Sequence, residues 1–193
     1  MFLALGVIGY LRGTAPILSR ANVVTALRFL SIGGLLELAI TEALGGYWLA
    51  LGGTAILISD ALDGWMARRH DRTTRLGGLF DEEVDAFFLL ALCVVAFLSA
   101  RTGGWVLIPG LLHYGFVLGR PLLERGKAPA KIRSRRARLL FVVMMIAMIT
   151  TLLPLPELYL PATMVAAVLL IISFLIDAWT LMRAPAAGAV VDG

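Results

Sequence analysis

The sequence predicts an all-α, polytopic membrane protein: six transmembrane helices, preceded by an N-terminal interfacial helix. Three observations predict it. The 193 residues are 60% hydrophobic with a mean hydropathy of +0.90, well above the roughly 45–50% apolar content of a soluble domain. The apolar residues gather into about six stretches near the 20 residues needed to cross a bilayer. The basic residues fall in alternate connections between those stretches, as the positive-inside rule requires.

The elements follow in order. Residues 1–12 (MFLALGVIGYLR) are apolar but too short to cross. They lack the basic start and cleavage site of a signal peptide, so residues 1–21 read as a segment lying along the headgroups. The spans are expected at roughly 22–43, 47–69, 77–100, 103–123, 136–154 and 158–182. The second and third carry charges, but WLALGGTAILIS precedes Asp60 and AFFLLALCVVAFLSA follows Asp85, which keeps both as spans. Residues 184–193 read as a flexible tail, leaving 22–183 as one six-helix domain.

Arg12 and Arg20 precede span one; Arg68, Arg69, Arg72 and Arg75 separate spans two and three. Arg120, Arg125, Lys127, Lys131, Arg133, Arg135 and Arg136 lie at or between the facing ends of spans four and five, and Arg183 follows span six. The remaining connections offer Arg101 alone. An even number of spans with both termini cytoplasmic puts every basic cluster on one side. A bacterial inner membrane is the expected setting. No nucleic-acid partner is expected. Cys93 has no partner for a disulfide and reads as a core residue. Gly33, Gly34, Gly52, Gly53, Gly77 and Gly78 are expected to let helices approach closely.

The chemistry is concentrated in DALDGWMARRHDRTTRLGGLFDEEVD, residues 60–85. Asp60, Asp63, Gly64, Ala67 and Arg68 share one face of span two; Gly77, Asp81 and Asp85 share one face of span three, because steps of three and four return to the same side of a helix. A short loop makes the spans an antiparallel pair whose acidic faces are expected to meet. Ionised groups in a bilayer cost about 2.5–3.5 kcal/mol each on insertion scales, so four acids call for a compensating cation. Oxygen ligands suit Mg²⁺ or Mn²⁺, and two such ions can clamp a phosphoryl group. Gly64 and Gly77 leave room for a diphosphate beside the cage, and Arg68 can hold phosphate through its planar fork. The competing reading is a set of surface ion pairs with Arg68, Arg69, Arg72 and Arg75.

This stretch resembles the signature of the CDP-alcohol phosphatidyltransferase family, D-x2-D-G-x2-A-R-x8-G-x3-D-x3-D, at Asp60, Asp63, Gly64, Ala67, Arg68, Gly77, Asp81 and Asp85. The resemblance implies a six-helix homodimer that transfers a phosphoalcohol group, commonly phosphatidyl, from a CDP-linked lipid to a hydroxyl acceptor with release of CMP. It implies that Asp60, Asp63 and Asp81 hold the metals, and that Asp85 is both a further ligand and the base. Gly64 and Arg68 would contact the CDP moiety. Asn22, Thr25 and Arg28 match the family's N-x2-T-x2-R on the first helix. Asn22 and Thr25 are expected to line the nucleotide site, with Thr74 as a helping hydroxyl. The plainer alternatives are a helix N-cap for Asn22 and a bond to its own helix for Thr25. Arg28 is assigned no site role and is expected to snorkel to the interface.

Glu82 and Glu83 depart from the small residues usual in that spacer. Either is expected to pair with a loop arginine or reach an acceptor. In the basic loop, Arg133, Arg135, Arg136 and Arg138 are candidates for binding a phosphate on the acceptor, such as glycerol 3-phosphate or an inositol phosphate. The alternative is an anchor for anionic headgroups. Met144, Met145 and Met148 read as packing or lipid-facing residues, His70 and His113 as isolated, and Asp177 as an ion-pair partner. Two other functions compete: an intramembrane prenyltransferase, which would carry a second acidic motif, and a divalent-cation transporter, which would place its acids near mid-bilayer.

Overall fold

The computed structural model describes the backbone of residues 20–69, 75–123 and 135–183, and the side chains of these except 20–23, 63–69, 75–79, 120–123, 135 and 181. The expected interfacial segment before residue 20, the loop bearing Thr74 and His70, Arg133 and the tail lie outside the described residues. The described chain is all-helical: α1 (Arg20–Ile40), α2 (Gly46–Arg69), α3 (Arg75–Leu98), a single 3₁₀ turn (Gly104–Val106), α4 (Leu107–Leu123), α5 (Arg135–Thr150) and α6 (Pro156–Arg183).

The helix ends have local causes. α1 stops at Ile40 rather than 43 because the chain turns through Glu42, whose φ is 52°. Ala100, with the same φ of 52°, turns the chain after α3. α5 ends four residues earlier than the apolar run suggests. Thr151, Leu152 and Leu153 each donate to the carbonyl three residues back, a tightened last turn. Pro154 and Pro156 then disfavour an α conformation in the residue before each. The fourth apolar stretch opens as the 3₁₀ turn and becomes α-helical only at Leu107.

α3 is the central rod. Val84, Ala86, Phe88, Leu89, Ala91, Leu92, Cys93, Val95 and Ala96 are buried, and α3 packs against α1, α4 and α5. α1 packs against both α2 and α3; α6 closes the bundle on α5 and α4. Met144, Met145 and Met148 fill the core from α5, and Cys93 is fully buried. The outer surface is apolar, with Leu30, Trp48, Leu51, Leu118, Leu139 and Leu175 all more than half exposed. A helix bundle clothed this way suits lipid better than water. Within α6, Pro156–Thr180 is long and apolar enough to cross a membrane, the one such helix among the described residues. Beyond it Arg183 stacks over the Trp179 ring, 4.5 Å from its centroid.

Close helix contacts use fewer of the expected glycines, and some others. A Cβ at Gly52 would lie 3.1 Å from Leu35, and one at Gly53 would lie 3.4 Å from Ile149. Gly33 and Gly34 face no neighbour within 4 Å, so they serve no close approach among the described residues. The tightest site is Gly46, where a Cβ would land on the carbonyl oxygen of Leu152. At Gly110 it would meet the Leu90 backbone at 3.1 Å and Cys93 Sγ at 3.2 Å, fixing the α3–α4 crossing.

Candidate active site

Asp60 stands nine residues before the end of α2, and Asp81 and Asp85 stand in the first half of α3. The last two are one turn apart on one face, where like charges destabilise a helix. One carboxylate oxygen from each of Asp60, Asp81 and Asp85 lies within 4.8 Å of the others. All three side chains are about a third exposed (29%, 38% and 30%), so the cluster opens to the outside.

α2 and α3 do not meet face to face as the short loop suggests. Among the described residues they make no extended contact with each other, and both pack on α1. Their acidic faces nevertheless converge as expected for Asp60, Asp81 and Asp85, with α1 supplying a positive charge among them. Arg28 is that charge. Its side chain is 3% exposed. Nη1 donates to Asp60 Oδ1, while Nη2 reaches Asp81 Oδ1 at 2.6 Å and Asp85 Oδ1 at 3.1 Å. The expectation that Arg28 snorkels is therefore overturned. A residue signal was present: Thr25, Arg28, Ile32 and Ala39 are the buried residues of α1 among those described, and their spacing of three, four and seven is that of a core-facing stripe.

The other candidates divide by position. Thr25 is buried on the Arg28 face of α1. Asn22 is the third residue of α1, so it is not the helix N-cap; its side chain lies outside the described residues. Asp63, Gly64 and Arg68 lie on α2 and Gly77 on α3, with side-chain surroundings outside the described residues. Glu82 is exposed. Among the described residues Glu83 pairs with His113, its carboxylate 3.4 Å from Nε2 on α4, while the side chains of the loop arginines lie outside those residues. Two residues beyond Asp81, it sits on the opposite side of α3, and His113 is correspondingly not isolated. Arg136, a candidate acceptor ligand, donates to Asp177 at 2.9 Å and ties the start of α5 to α6, as the ion-pair reading of Asp177 expects. Arg138 is exposed; Arg135 opens α5.

The donor set fits a hard divalent cation. It consists of carboxylate oxygens only. Among the described residues the Arg28 guanidinium faces three carboxylates, each about a third exposed, so their oxygens can be reached from outside.

The comparisons with known proteins agree with this arrangement. A search of curated proteins gives no match. A family profile described as CDP-alcohol phosphatidyltransferase matches residues 18–179, which includes all three carboxylates, Arg28 and every helix named above. On that match over most of its length, and with three of the four signature acids gathered at one site, the chain belongs to the CDP-alcohol phosphatidyltransferase family.

Proposed function

We propose that this protein transfers a phosphatidyl group from a CDP-lipid such as CDP-diacylglycerol to the hydroxyl of a small polar acceptor, releasing CMP, in phospholipid synthesis. Membership of the family supports transfer of a phosphoalcohol group from a CDP-alcohol. The observation that supports the finer reading is the convergence of one carboxylate oxygen from each of Asp60, Asp81 and Asp85 within 4.8 Å, all partly exposed.

In this reading Asp60, Asp63, Asp81 and Asp85 hold two divalent cations, Mg²⁺ or Mn²⁺. When bound, these ions draw charge from the phosphoryl oxygens and clamp the diphosphate. Asn22, Thr25, Gly64, Arg68, Thr74 and Gly77 hold the cytidine diphosphate, with Arg68 forking onto phosphate. Asp85 accepts the proton of the acceptor hydroxyl. The acceptor oxygen then bonds to the phosphorus carrying the lipid alcohol, the bond from that phosphorus to the CMP oxygen breaks, and CMP departs with the electron pair. No covalent enzyme intermediate is required. The basic segment, through Arg133, Arg135, Arg136 or Arg138, holds a phosphate on the acceptor, for which glycerol 3-phosphate is the leading choice. The six helices of residues 22–183 cross a bacterial inner membrane as a homodimer, with both termini and the site on the cytoplasmic face.

The test offers the purified protein CDP-diacylglycerol, Mg²⁺ or Mn²⁺ and a panel of acceptors. CMP release that requires both metal and one acceptor is expected. Absence of CMP with every acceptor, together with aspartate-dependent flux of divalent cations through proteoliposomes, would replace the enzyme by a transporter.

A further inference from the structure

We propose that Arg28 is a resident counter-cation: it holds Asp60, Asp81 and Asp85 together before a divalent ion arrives, and it weakens that ion's binding by occupying the same carboxylates. The inference rests on the metal-site reading above and assigns Arg28 a positioning role within it.

Three observations lead there. First, the guanidinium reaches all three carboxylates of the cluster, through one oxygen of each. An incoming ion either shares those oxygens or sits within a few ångströms of a fixed positive charge, and both weaken its hold. Second, the two sides differ. Arg28 enters from the core with its side chain 3% exposed, whereas the carboxylates are about a third exposed. The arginine is built in, and the ion comes and goes from the open side. Third, Arg28 Nε is buried without a hydrogen-bond partner among the described residues. Among the described residues, then, only the carboxylates hold the guanidinium head, and an ion that takes them takes its hydrogen-bond partners. A buried arginine serving only to join helices would be expected to have every donor satisfied.

The balance has a purpose in chemical terms. Three unpaired acids would force the helices apart whenever the site lacked metal. A fully neutralised site would bind none. One guanidinium against three acids gives a site that stays assembled and still attracts a divalent ion.

The experiment uses the full chain, stripped of metal and held in lipid nanodiscs. Mn²⁺ is titrated in, free ion is read by its electron paramagnetic resonance signal, and melting temperature is recorded with and without Mn²⁺. Arg28→Gln should bind Mn²⁺ about tenfold more tightly than wild type, since a like charge is removed at close range. It should melt lower without metal, and gain more from Mn²⁺ than wild type gains. Arg28→Lys, which keeps the charge, should bind Mn²⁺ with an affinity closer to wild type than to Arg28→Gln. Equal or weaker binding by folded Arg28→Gln overturns the proposal. If Arg28→Gln folds only with Mn²⁺ present, the ion replaces the arginine and the proposal stands. If Mn²⁺ fails to restore it while Arg28→Lys folds, the arginine is a structural tie and the proposal falls. Asp81→Asn tests the underlying reading separately: if it binds Mn²⁺ as wild type does, the metal site itself is wrong and the proposal goes with it.

Discussion

Arg28 and Arg101 stand at opposite ends of the bundle and do opposite things with the same side chain. Thirteen residues of α3, about 20 Å of helix, separate Asp85 from Leu98 at the far end. There Arg101 donates to the backbone carbonyls of Thr151 at 2.8 Å and Leu153 at 3.0 Å. These are orphan acceptors just past α5, and a cation there also meets the negative end of that helix's dipole. The Arg101 end is satisfied: one cation, two neutral acceptors, and backbone pressed on backbone where Gly46 meets Leu152. At the Arg28 end the ties among the described residues join side chain to side chain, one guanidinium to three carboxylates. A bundle closed by main-chain contacts at one end can hold acids under mutual repulsion at the other, which locates rigidity and chemistry in different places.

The largest test of that division is Asp85→Asn. Loss of the proposed proton acceptor should lower CMP release about 10²–10⁴-fold, while the melting temperature holds or rises because one repelling charge is gone. A melting temperature that falls in step with activity would show the acid end to be structural too. At the other end, Gly46→Ala should cost about 3 kcal/mol of stability, since a methyl cannot share space with the Leu152 carbonyl. Gly33→Ala, with no neighbour within 4 Å, should be neutral or stabilising by about 0.5–1 kcal/mol. Thermal unfolding in detergent reads both, and equal effects would contradict the packing described. Arg101→Ala falls between Gly46→Ala and Gly33→Ala. It should remove about 2 kcal/mol by stripping two charge-assisted bonds from α5, with turnover of the remaining folded enzyme unchanged; a change in its metal requirement would join the two ends after all.

The sequence anticipates much of this because six apolar runs have few alternatives, and the positions of the helices follow them within a few residues. Where boundaries moved, local conformation outweighed hydropathy. Glu42 and the Pro154–Pro156 pair end helices inside apolar stretches. The acids were legible because spacings of three and four mark a face without knowledge of the neighbours. Arg28 was not, because one cation in an apolar span reads alike whether it snorkels or pairs. Only the stripe shared with Thr25, Ile32 and Ala39 tells them apart. The same limit hid the wedge. A short loop implies adjacent helices, but it does not say that a third lies against both. The Glu83–His113 contact depends on which helix flanks the far side of α3, which periodicity within one element does not encode.

The 28 residues of α6 make a rod of about 42 Å, whereas bilayer hydrocarbon is about 30 Å thick. A rod longer than the oil it stands in must either lean or protrude, and thinner oil asks more of both. Asp177, six residues from its end, is clasped by Arg136 at the foot of α5, so any lean is handed on to that neighbour. A change in bilayer thickness would then bear on both helices at once.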